Sequence, residues 1–460
     1  MRLQENKLLL SCGVGVMALA TNCFAQDSPN VIIFLADDIC YNDLETYGSP
    51  NTSTPNLTAL AESGIKMNNC FQTSAMSSPT RHALYTGLYP VRSGAVPNHT
   101  FVYDNVKSFV QYFGENGYRT ALYGKQHISP RKVFAYDYLG NYQNGKMNFK
   151  AIEKYLTSSE SKKSPFFMVI ASNEAHGPYN CGNPDKWTNE ELILPEYFVD
   201  TPRTRTEYRK HIAEIEVMDK QVGEVRSMLK ENGLEDNTIF VFLSEQGNSF
   251  PFAKWTCYAQ GLKSGMLISY PDRLAKGIEM DALVEYVDVM PTLMELAGLE
   301  YQKKDFDGES MCRLLDEKVK EHKKRVYGLH SNTGVQNGSP LYGIRSVMDK
   351  KFHYIRNLLP EERYYNGIVG CPWWQEWEQK AKAGDVFAES QLHKYQWREC
   401  EELYDVENDP YELNNLAEDP KYRRVLRRMR KQLNAWMESQ GDKGIQTEKE
   451  SINRLVHWKR

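Results

Sequence analysis

Asn30 to Leu35 is a β-branched, apolar run that ends in Ala36-Asp37-Asp38. A strand without polar alternation has both faces buried, the pattern of a strand inside a mainly parallel sheet. Such a strand delivers its last residues, here two carboxylates, at one edge of the sheet. The pattern repeats down the chain. Thr54-Pro55-Asn56 caps an amphipathic helix over Leu57 to Glu62, which Gly64 terminates, and a helix beginning near Pro79 continues through Ala83 to Thr86. Val106 to Glu115 reads as a helix ending around Gly117, and Arg119 to Tyr123 as a strand. Phe166 to Ala171 is a second apolar strand, and helical periodicity over Tyr208 to Asn232 leads into the strand Thr238 to Leu243. Strands alternating with helices over this length predict an α/β fold, with a mainly parallel sheet covered on both faces.

A chain of 460 residues accommodates one large α/β domain and a smaller one. The texture changes near residue 320. Asp316 to Arg325 is highly charged, the aromatic patches Trp373-Trp374 and Trp377 follow, and a long basic helix is expected over Lys421 to Glu438. The boundary is therefore expected between about 315 and 340, giving a catalytic unit over 26–325 and a C-terminal subdomain over 326–460.

At the start of the chain, Arg2 and Lys7 precede an apolar run from Leu8 to Ala20, and Cys23-Phe24-Ala25 offers small residues for cleavage after Ala25. That is the shape of a secretory signal peptide, too short for a membrane span, so a periplasmic or secreted mature chain is expected. A lipoprotein anchor at Cys23 is less favoured, because Asn22 suits that cleavage badly. Removing residues 1–25 takes the formal charge from −4 to −5. No basic excess marks a nucleic-acid partner, so an anionic substrate must be met by local cations. The seven remaining cysteines are odd in number and scattered, with no Cys-x-x-Cys, which suggests neither a zinc site nor a dense disulfide framework. One or two bridges stay possible.

The densest chemical signal is Ser77-Ser78-Pro79-Thr80-Arg81, followed at once by Thr86-Gly87-Leu88-Tyr89-Pro90. Alone, its first five residues read equally well as a helix start after a proline turn. Other elements stand in order around it. Asp37-Asp38 is matched by a second acidic strand end, Ser244-Glu245-Gln246-Gly247, and paired carboxylates there suit a hard divalent cation. Oxygen-only ligation favours calcium or magnesium over zinc. Gly117-Tyr118-Arg119-Thr120 leads into Gly124-Lys125-Gln126-His127, where alternation predicts Lys125 and His127 on one side of an extended segment. His176 follows the strand Phe166 to Ala171 within Asn173-Glu174-Ala175-His176-Gly177-Pro178, and Lys254 lies shortly after the second acidic turn.

Together these motifs resemble the type I sulfatases of the alkaline-phosphatase-like superfamily, over about residues 29 to 420. Thr54-Pro55-Asn56, Asp288-Val289-Met290-Pro291-Thr292, Asp307-Gly308 and Glu402-Leu403-Tyr404-Asp405 add ordered echoes. In that family the first residue of (Cys or Ser)-x-Pro-(Ser or Thr)-Arg is oxidised to formylglycine, and this chain resembles bacterial carbohydrate sulfatases with the serine-type precursor. The resemblance implies an alkaline-phosphatase-like sandwich with a mainly parallel central sheet and a smaller C-terminal α+β subdomain that contributes to the substrate pocket. The site would lie at the carboxyl ends of the strands.

The same resemblance implies roles. Ser77, as formylglycine hydrate, attacks sulfur; Arg81 stabilises the hydrate; Lys125 holds it and a sulfate oxygen. His127 takes the proton whose loss expels sulfate, His176 contacts the scissile ester, and Lys254 protonates the departing alcohol. One calcium is implied at Asp37, Asp38, Ser77, Glu245 and Gln246, although Glu245 and Gln246 depart from the family's Asp and His or Asn. The implied partners are a sulfated carbohydrate and a formylglycine-generating maturation enzyme. A galactose or N-acetylgalactosamine sulfated at O3 is the favoured sugar, and the later Tyr and Trp clusters are candidates for stacking on sugar faces. Two alternatives stay open: a phosphatase or phosphodiesterase of the same superfamily, and a non-enzymatic glycan-binding relative in which Ser77 is never converted.

Overall fold

Eight strands build the principal sheet: β1 (Asn30–Ile39), β2 (Ile65–Phe71), β3 (Arg119–Gly124), β4 (Asp137–Tyr138), β5 (Phe166–Ala171), β6 (Thr238–Gln246), β7 (Lys263–Ser269) and β8 (Ile278–Glu285). Their order is β4-β3-β5-β1-β6-β7-β2-β8, and only β7 runs antiparallel to its neighbours. The structure is a computed structural model that describes residues 28–160 and 163–456. The leader expected at 1–25, with Cys23, lies outside the described residues.

The central place of β1 reflects its composition, because all ten of its residues are buried. Alternation sorts their side chains between two cores. Ile32, Phe34 and Ala36 meet Leu57 and Leu60 of helix α1 (Pro55–Glu62) and Ile215, Met218 and Val222 of the long helix Pro202–Glu231. Val31, Ile33 and Leu35 face the other way, toward Leu84 and Tyr85 of helix α2 (Ser77–Thr86) and Leu293 of the helix Tyr286–Leu296. Each such side chain contributes about 1.5–3 kcal/mol by burial, so a central strand apolar on both faces is what binds the two helical layers to one sheet.

A second, wholly antiparallel sheet has the order β12-β11-β10-β9, from β9 (Val326–Ser331), β10 (Gly343–Met348), β11 (Phe352–Asn357) and β12 (Glu401–Asp405). The helix Arg423–Gln440 lays Leu426, Met429, Leu433 and Trp436 on Leu329, Val347, Tyr354 and Leu403 of that sheet. The fold is thus the expected one, a mainly parallel α/β sheet with a C-terminal antiparallel subdomain. Trp373, Trp374 and Trp377 lie on the helix Pro372–Lys382 and are buried, with Trp373 against Phe250 and Trp377 against Phe198. These three are core residues and stack on no sugar.

Several elements differ at their ends from the sequence expectation. β1 and β6 run past their apolar stretches into the acidic residues, and α2 begins at Ser77 itself. The expected helix over Val106 to Glu115 shortens to Phe109–Gly114, because Ser108 caps it and accepts from the Val110 amide. The long helix starts at Pro202, where Thr201 caps a first turn of polar residues that hides its periodicity. Cys40, Cys70, Cys181, Cys257, Cys312, Cys371 and Cys400 are all free thiols. Among the described residues no helix is long and apolar enough to cross a membrane.

His82 fastens α2 to the segment after β3, with Nδ1 2.7 Å from the Ser78 carbonyl and Nε2 3.0 Å from the Ser129 amide nitrogen. Burial pushes its pKa down to about 4. The folded value lies below the unfolded one, so the unfolded chain takes up the proton first. The stabilisation from keeping His82 neutral is complete above the unfolded pKa of about 6.5 and is lost as pH falls toward 4. Between pH 8 and pH 5 that loss amounts to about 2 kcal/mol. Urea unfolding at the two pH values is expected to show a pH dependence smaller by that amount in His82→Gln, and an unchanged dependence would exclude His82 as the source.

Candidate active site

Adjacent residues of a regular strand point to opposite faces, so Asp37 and Asp38 could not serve one site from an unbroken β1. The pairing with β6 slips at this point: Ala36 faces Ser244 but Ile39 faces Gln246, leaving one extra residue on β1. Asp38 adopts a φ of 54° and Gln246 a φ of 59°. Such a bulge re-aims side chains, and Asp enters the left-handed region more readily than most residues. Both carboxylates therefore reach the Gln246 amide, whose Nε2 donates to Asp37 Oδ1 at 3.0 Å, to Asp38 Oδ1, and to Ser77 Oγ at 2.8 Å.

Ser77 is the first residue of α2 and does not cap it; the N-cap is Met76. The Ser77 hydroxyl instead accepts from Gln246 and from Lys125 Nζ, the latter at 3.0 Å. A helix-start reading of the motif does not account for these contacts. The unpaired N–H groups and positive dipole end of α2 make its N-terminus a favourable place for an anion. Lys125 arrives from β3 through Gly124, which has a φ of 89° and whose Cβ would stand 2.0 Å from the Ala171 carbonyl oxygen. Only glycine permits that crossing, and it brings Lys125 Nζ to 2.5 Å from Asp37 Oδ2. His127 has a φ of 51°, so Lys125 and His127 do not share an extended segment as alternation predicted. They line one cavity all the same.

Arg81 lies one helical turn beyond Ser77, as expected, and is fully buried. Its Nε donates to Glu245 Oε1 at 3.1 Å and its Nη1 to the Lys125 carbonyl at 3.0 Å, while Nη2 pairs with Glu245 and stands 3.7 Å from Asp37 Oδ1. Glu245 therefore sits on Arg81, apart from the Asp37, Asp38 and Gln246 group. Strand alternation explains this, since Leu243 and Val241 of β6 face the α2 side and Glu245 comes next in the same phase. Burial raises the Glu245 pKa to about 7 despite Arg81. Burial also acts to raise Asp37, but Lys125, His176 and Arg81 outweigh it and hold the carboxyl well below the usual range.

Lys254 Nζ is 2.6 Å from Asp38 Oδ2, an oxygen that also accepts from Ser249 Oγ at 2.6 Å. His176 stands nearer solvent, its side chain 43% exposed, with Nε2 3.8 Å from Asp38 Oδ2. Asp37, Lys125, His127, Tyr142, Glu174 and His176 line a cavity of about 440 Å³. A larger cleft of about 580 Å³, between Arg92 and Lys304, holds none of the groups named above. The structure thus gathers Asp37, Asp38, Ser77, Lys125, Gln246 and Lys254 directly, with Arg81 and Glu245 behind them and His127 and His176 on the cavity wall.

Three contributors escape the sequence reading. Ser249 bonds Asp38, His99 Nδ1 lies 2.8 Å from His127 Nε2, and Tyr142 hydrogen-bonds Glu174 on the cavity wall. Ser249 lies close enough to the acidic turn to have been weighed, whereas nothing in the spacing of His99 or Tyr142 marks them.

The donor set decides which cation fits. The Gln246 amide nitrogen has two hydrogens for three oxygens, while its Oε1 is buried without a partner. Turning the amide over presents Oε1 beside Asp37, Asp38 and residue 77, four oxygens of the kind a hard cation takes. Among the described residues no group of three or more His, Cys, Asp or Glu side chains is placed to hold a metal ion, so the fit rests on the Gln246 amide oxygen and residue 77 beside the two aspartates.

The sulfatase family model matches residues 29–299, and the model for the C-terminal part of N-sulphoglucosamine sulphohydrolase matches residues 247–365. An ulvan-active sulfatase of Formosa agariphila is 32% identical over 427 residues, covering 91% of this chain and 81% of its own. The human N-sulphoglucosamine sulphohydrolase is 27% identical over 459 residues, covering 88% and 89%. Among solved structures, BT4656 in complex with its substrate D-glucosamine-2-N,6-O-disulfate superposes with a TM-score of 0.69 at 18% identity, over 91% of this chain and 99% of that one, and so shares the fold. A family match over more than half of the chain, and a relative above 30% identity along most of it, agree with the site: the protein belongs to the sulfatase family of alkaline-phosphatase-like sulfuric ester hydrolases.

Proposed function

We propose that this sulfatase hydrolyses a sulfate monoester on a glycan or glycan fragment, outside the cytoplasm, with Ser77 converted to formylglycine by a maturation enzyme. The observation that carries the reading is the company kept by the Ser77 hydroxyl. Its partners are Lys125 Nζ and the Gln246 amide nitrogen, both of which donate to it, so neither accepts its proton. The encoded serine is therefore not activated as a nucleophile, and chemical conversion answers that need. Formylglycine, once formed and hydrated, supplies two hydroxyls on one carbon: one to attack sulfur, the other to lose a proton so that sulfate leaves and the aldehyde returns.

The chain's own residues do the rest. Lys125 and the α2 N-terminus face the transferring sulfuryl group and offset its charge. Lys254 and His176 stand on the Asp38 side, where the alcohol departs, and Lys254 is the proton donor to it. His127 takes the proton from the second hydroxyl. Asp37, Asp38, Gln246 and residue 77 would hold calcium, which polarises a sulfate oxygen when bound. Glu245 serves the site through Arg81 and is left out of the calcium set. The C-terminal unit over 326–460 braces the loop that carries Lys254, supported by the Tyr364 hydroxyl bonding the Trp255 carbonyl next to it, while the cavity wall comes from residues of the larger unit.

Glycan substrates are supported by the names of the relatives, which act on ulvan and on N-sulphoglucosamine. A panel of defined sulfated sugars tests the assignment: 3-O-sulfated galactose and N-acetylgalactosamine, N-sulfated glucosamine, and ulvan oligosaccharides. Mass spectrometry of the Ser77 peptide is expected to show the loss of two hydrogens in active enzyme. Full turnover by protein with an unconverted serine would overturn the formylglycine reading, and turnover of aryl sulfates with none of the panel would overturn the glycan reading.

Elemental analysis of the active enzyme is expected to find one calcium per chain. Stripping it with a chelator should lower kcat/KM at least tenfold, with recovery on adding calcium back. Stoichiometric zinc and no calcium would sink this expectation and favour a phosphatase-like centre.

A further inference from the structure

We propose that His99 is a positioning residue that fixes which nitrogen of His127 faces the reaction. This rests on the reading of His127 as the base that releases sulfate. His99 Nδ1 and His127 Nε2 lie 2.8 Å apart, and the ring centroids are separated by 4.6 Å. Two neutral imidazoles joined by one hydrogen bond have two arrangements, because one ring must donate and the other accept. If His127 Nε2 donates to His99 Nδ1, His127 keeps the lone pair on its own Nδ1. If His99 donates instead, His127 carries its proton on Nδ1 and has no lone pair left to act as a base.

The role read for His127 selects between them. His127 Nδ1 is buried and has no hydrogen-bond partner, and the residue lines the cavity with Lys125 and His176. With Nε2 held by His99, Nδ1 is the nitrogen left for a reacting hydroxyl, and a base there requires the arrangement in which His99 accepts. Burial and, second to it, the neighbouring Lys125 lower the pKa of both rings, which favours the neutral pair.

His99 is held for such a task from outside the catalytic elements. Its carbonyl accepts from the Val456 amide at 2.7 Å, and the Thr100 hydroxyl donates to the Arg454 carbonyl at 3.0 Å. Arg454 donates to the carbonyls of Gly94 at 2.7 Å and Phe101 at 2.6 Å, and its guanidinium stacks over Phe101 and Tyr103. The last described residues of the chain thus strap down the loop that carries His99. A ring orienting another ring needs this rigidity, since a loose partner would not hold one tautomer.

The test uses the matured, full-length enzyme. Long-range proton–nitrogen NMR of histidine-labelled protein, with His127 assigned by comparison with His127→Gln, is expected to show His127 protonated on Nε2. Protonation on Nδ1 overturns the proposal and needs no activity to be read. His99→Asn keeps an acceptor oxygen near the place of Nδ1 and tolerates the φ of 52° at this position, whereas His99→Leu removes the acceptor. His99→Leu is expected to lower kcat about 10- to 100-fold with KM little changed, and His99→Asn to restore most of it. Equal loss in both variants, or wild-type kcat in both, overturns the proposal; melting temperatures separate misfolding from either. Full turnover by His127→Gln would instead overturn the release-base reading, while the tautomer measurement on the wild type would still stand.

Discussion

Ser77→Ala is expected to abolish turnover, a loss on the order of 10⁴-fold or more, while leaving the fold intact. The size has a chemical origin: among the described residues no other hydroxyl is bonded by both Lys125 and Gln246, at the N-terminus of α2. The fold is spared because the two donors that lose Ser77 Oγ keep other acceptors. Lys125 still reaches Asp37 at 2.5 Å, and Gln246 still reaches Asp37 and Asp38. No buried donor is orphaned, so the cost in stability stays near 1 kcal/mol or below. Sulfate release and urea unfolding on the same preparation check both halves. Ser77→Cys should be active only from a host that oxidises cysteine at this motif. Near wild-type turnover by Ser77→Ala, with contaminating sulfatase excluded, would refute the formylglycine mechanism. Intact glycan binding with no turnover in wild type and variant alike would identify the non-enzymatic alternative.

Much of this arrangement is legible in the sequence because parallel strands advertise themselves. β1 and β6 are apolar on both faces until they near the sheet edge, where acidic residues take over. That contrast locates the edge and says which residues stand on it. It does not say which of them share a site. Asp37 and Asp38 come together through a one-residue slip against β6 and a left-handed Asp38, and register between strands so distant in sequence leaves no local trace.

The same limit explains Glu245. Its phase along β6 sends it to the α2 side, which becomes visible only once the neighbours Val241 and Leu243 are known to face that core. His127 departs from the expected extended segment because a positive φ at a non-glycine residue carries no sequence signature. His99 was invisible for a related reason, since a loop strapped by the far end of the chain is placed by contacts that no periodicity encodes. The tryptophans of Pro372–Lys382 misled in the opposite sense. Aromatic clusters suit a sugar face and a core equally, and burial alone decides between them.

His127→Ala and His176→Ala are expected to fail at different steps, each with a loss of about 10²- to 10⁴-fold in steady-state turnover. The two rings stand in unlike settings. His127 is enclosed, lines the cavity, is paired to His99 through Nε2 and has no hydrogen-bond partner on Nδ1. His176 is 43% exposed at the mouth, on the side where Lys254 holds Asp38. Removing the release base leaves the first displacement possible, so His127→Ala should liberate one equivalent of alcohol per enzyme and then stall with sulfate held on residue 77. Removing the contact on the leaving-group side slows that first displacement, so His176→Ala should show no such burst. A better leaving group needs less assistance, and an activated aryl sulfate should therefore recover much of the rate in His176→Ala. In His127→Ala the same substrate should give one turnover and no more. Rapid-quench kinetics with a glycan sulfate and an aryl sulfate on both variants separates these outcomes. Equal losses, with no burst and no dependence on the leaving group, would show that the two histidines only bind sulfate and that the division of labour between them is wrong.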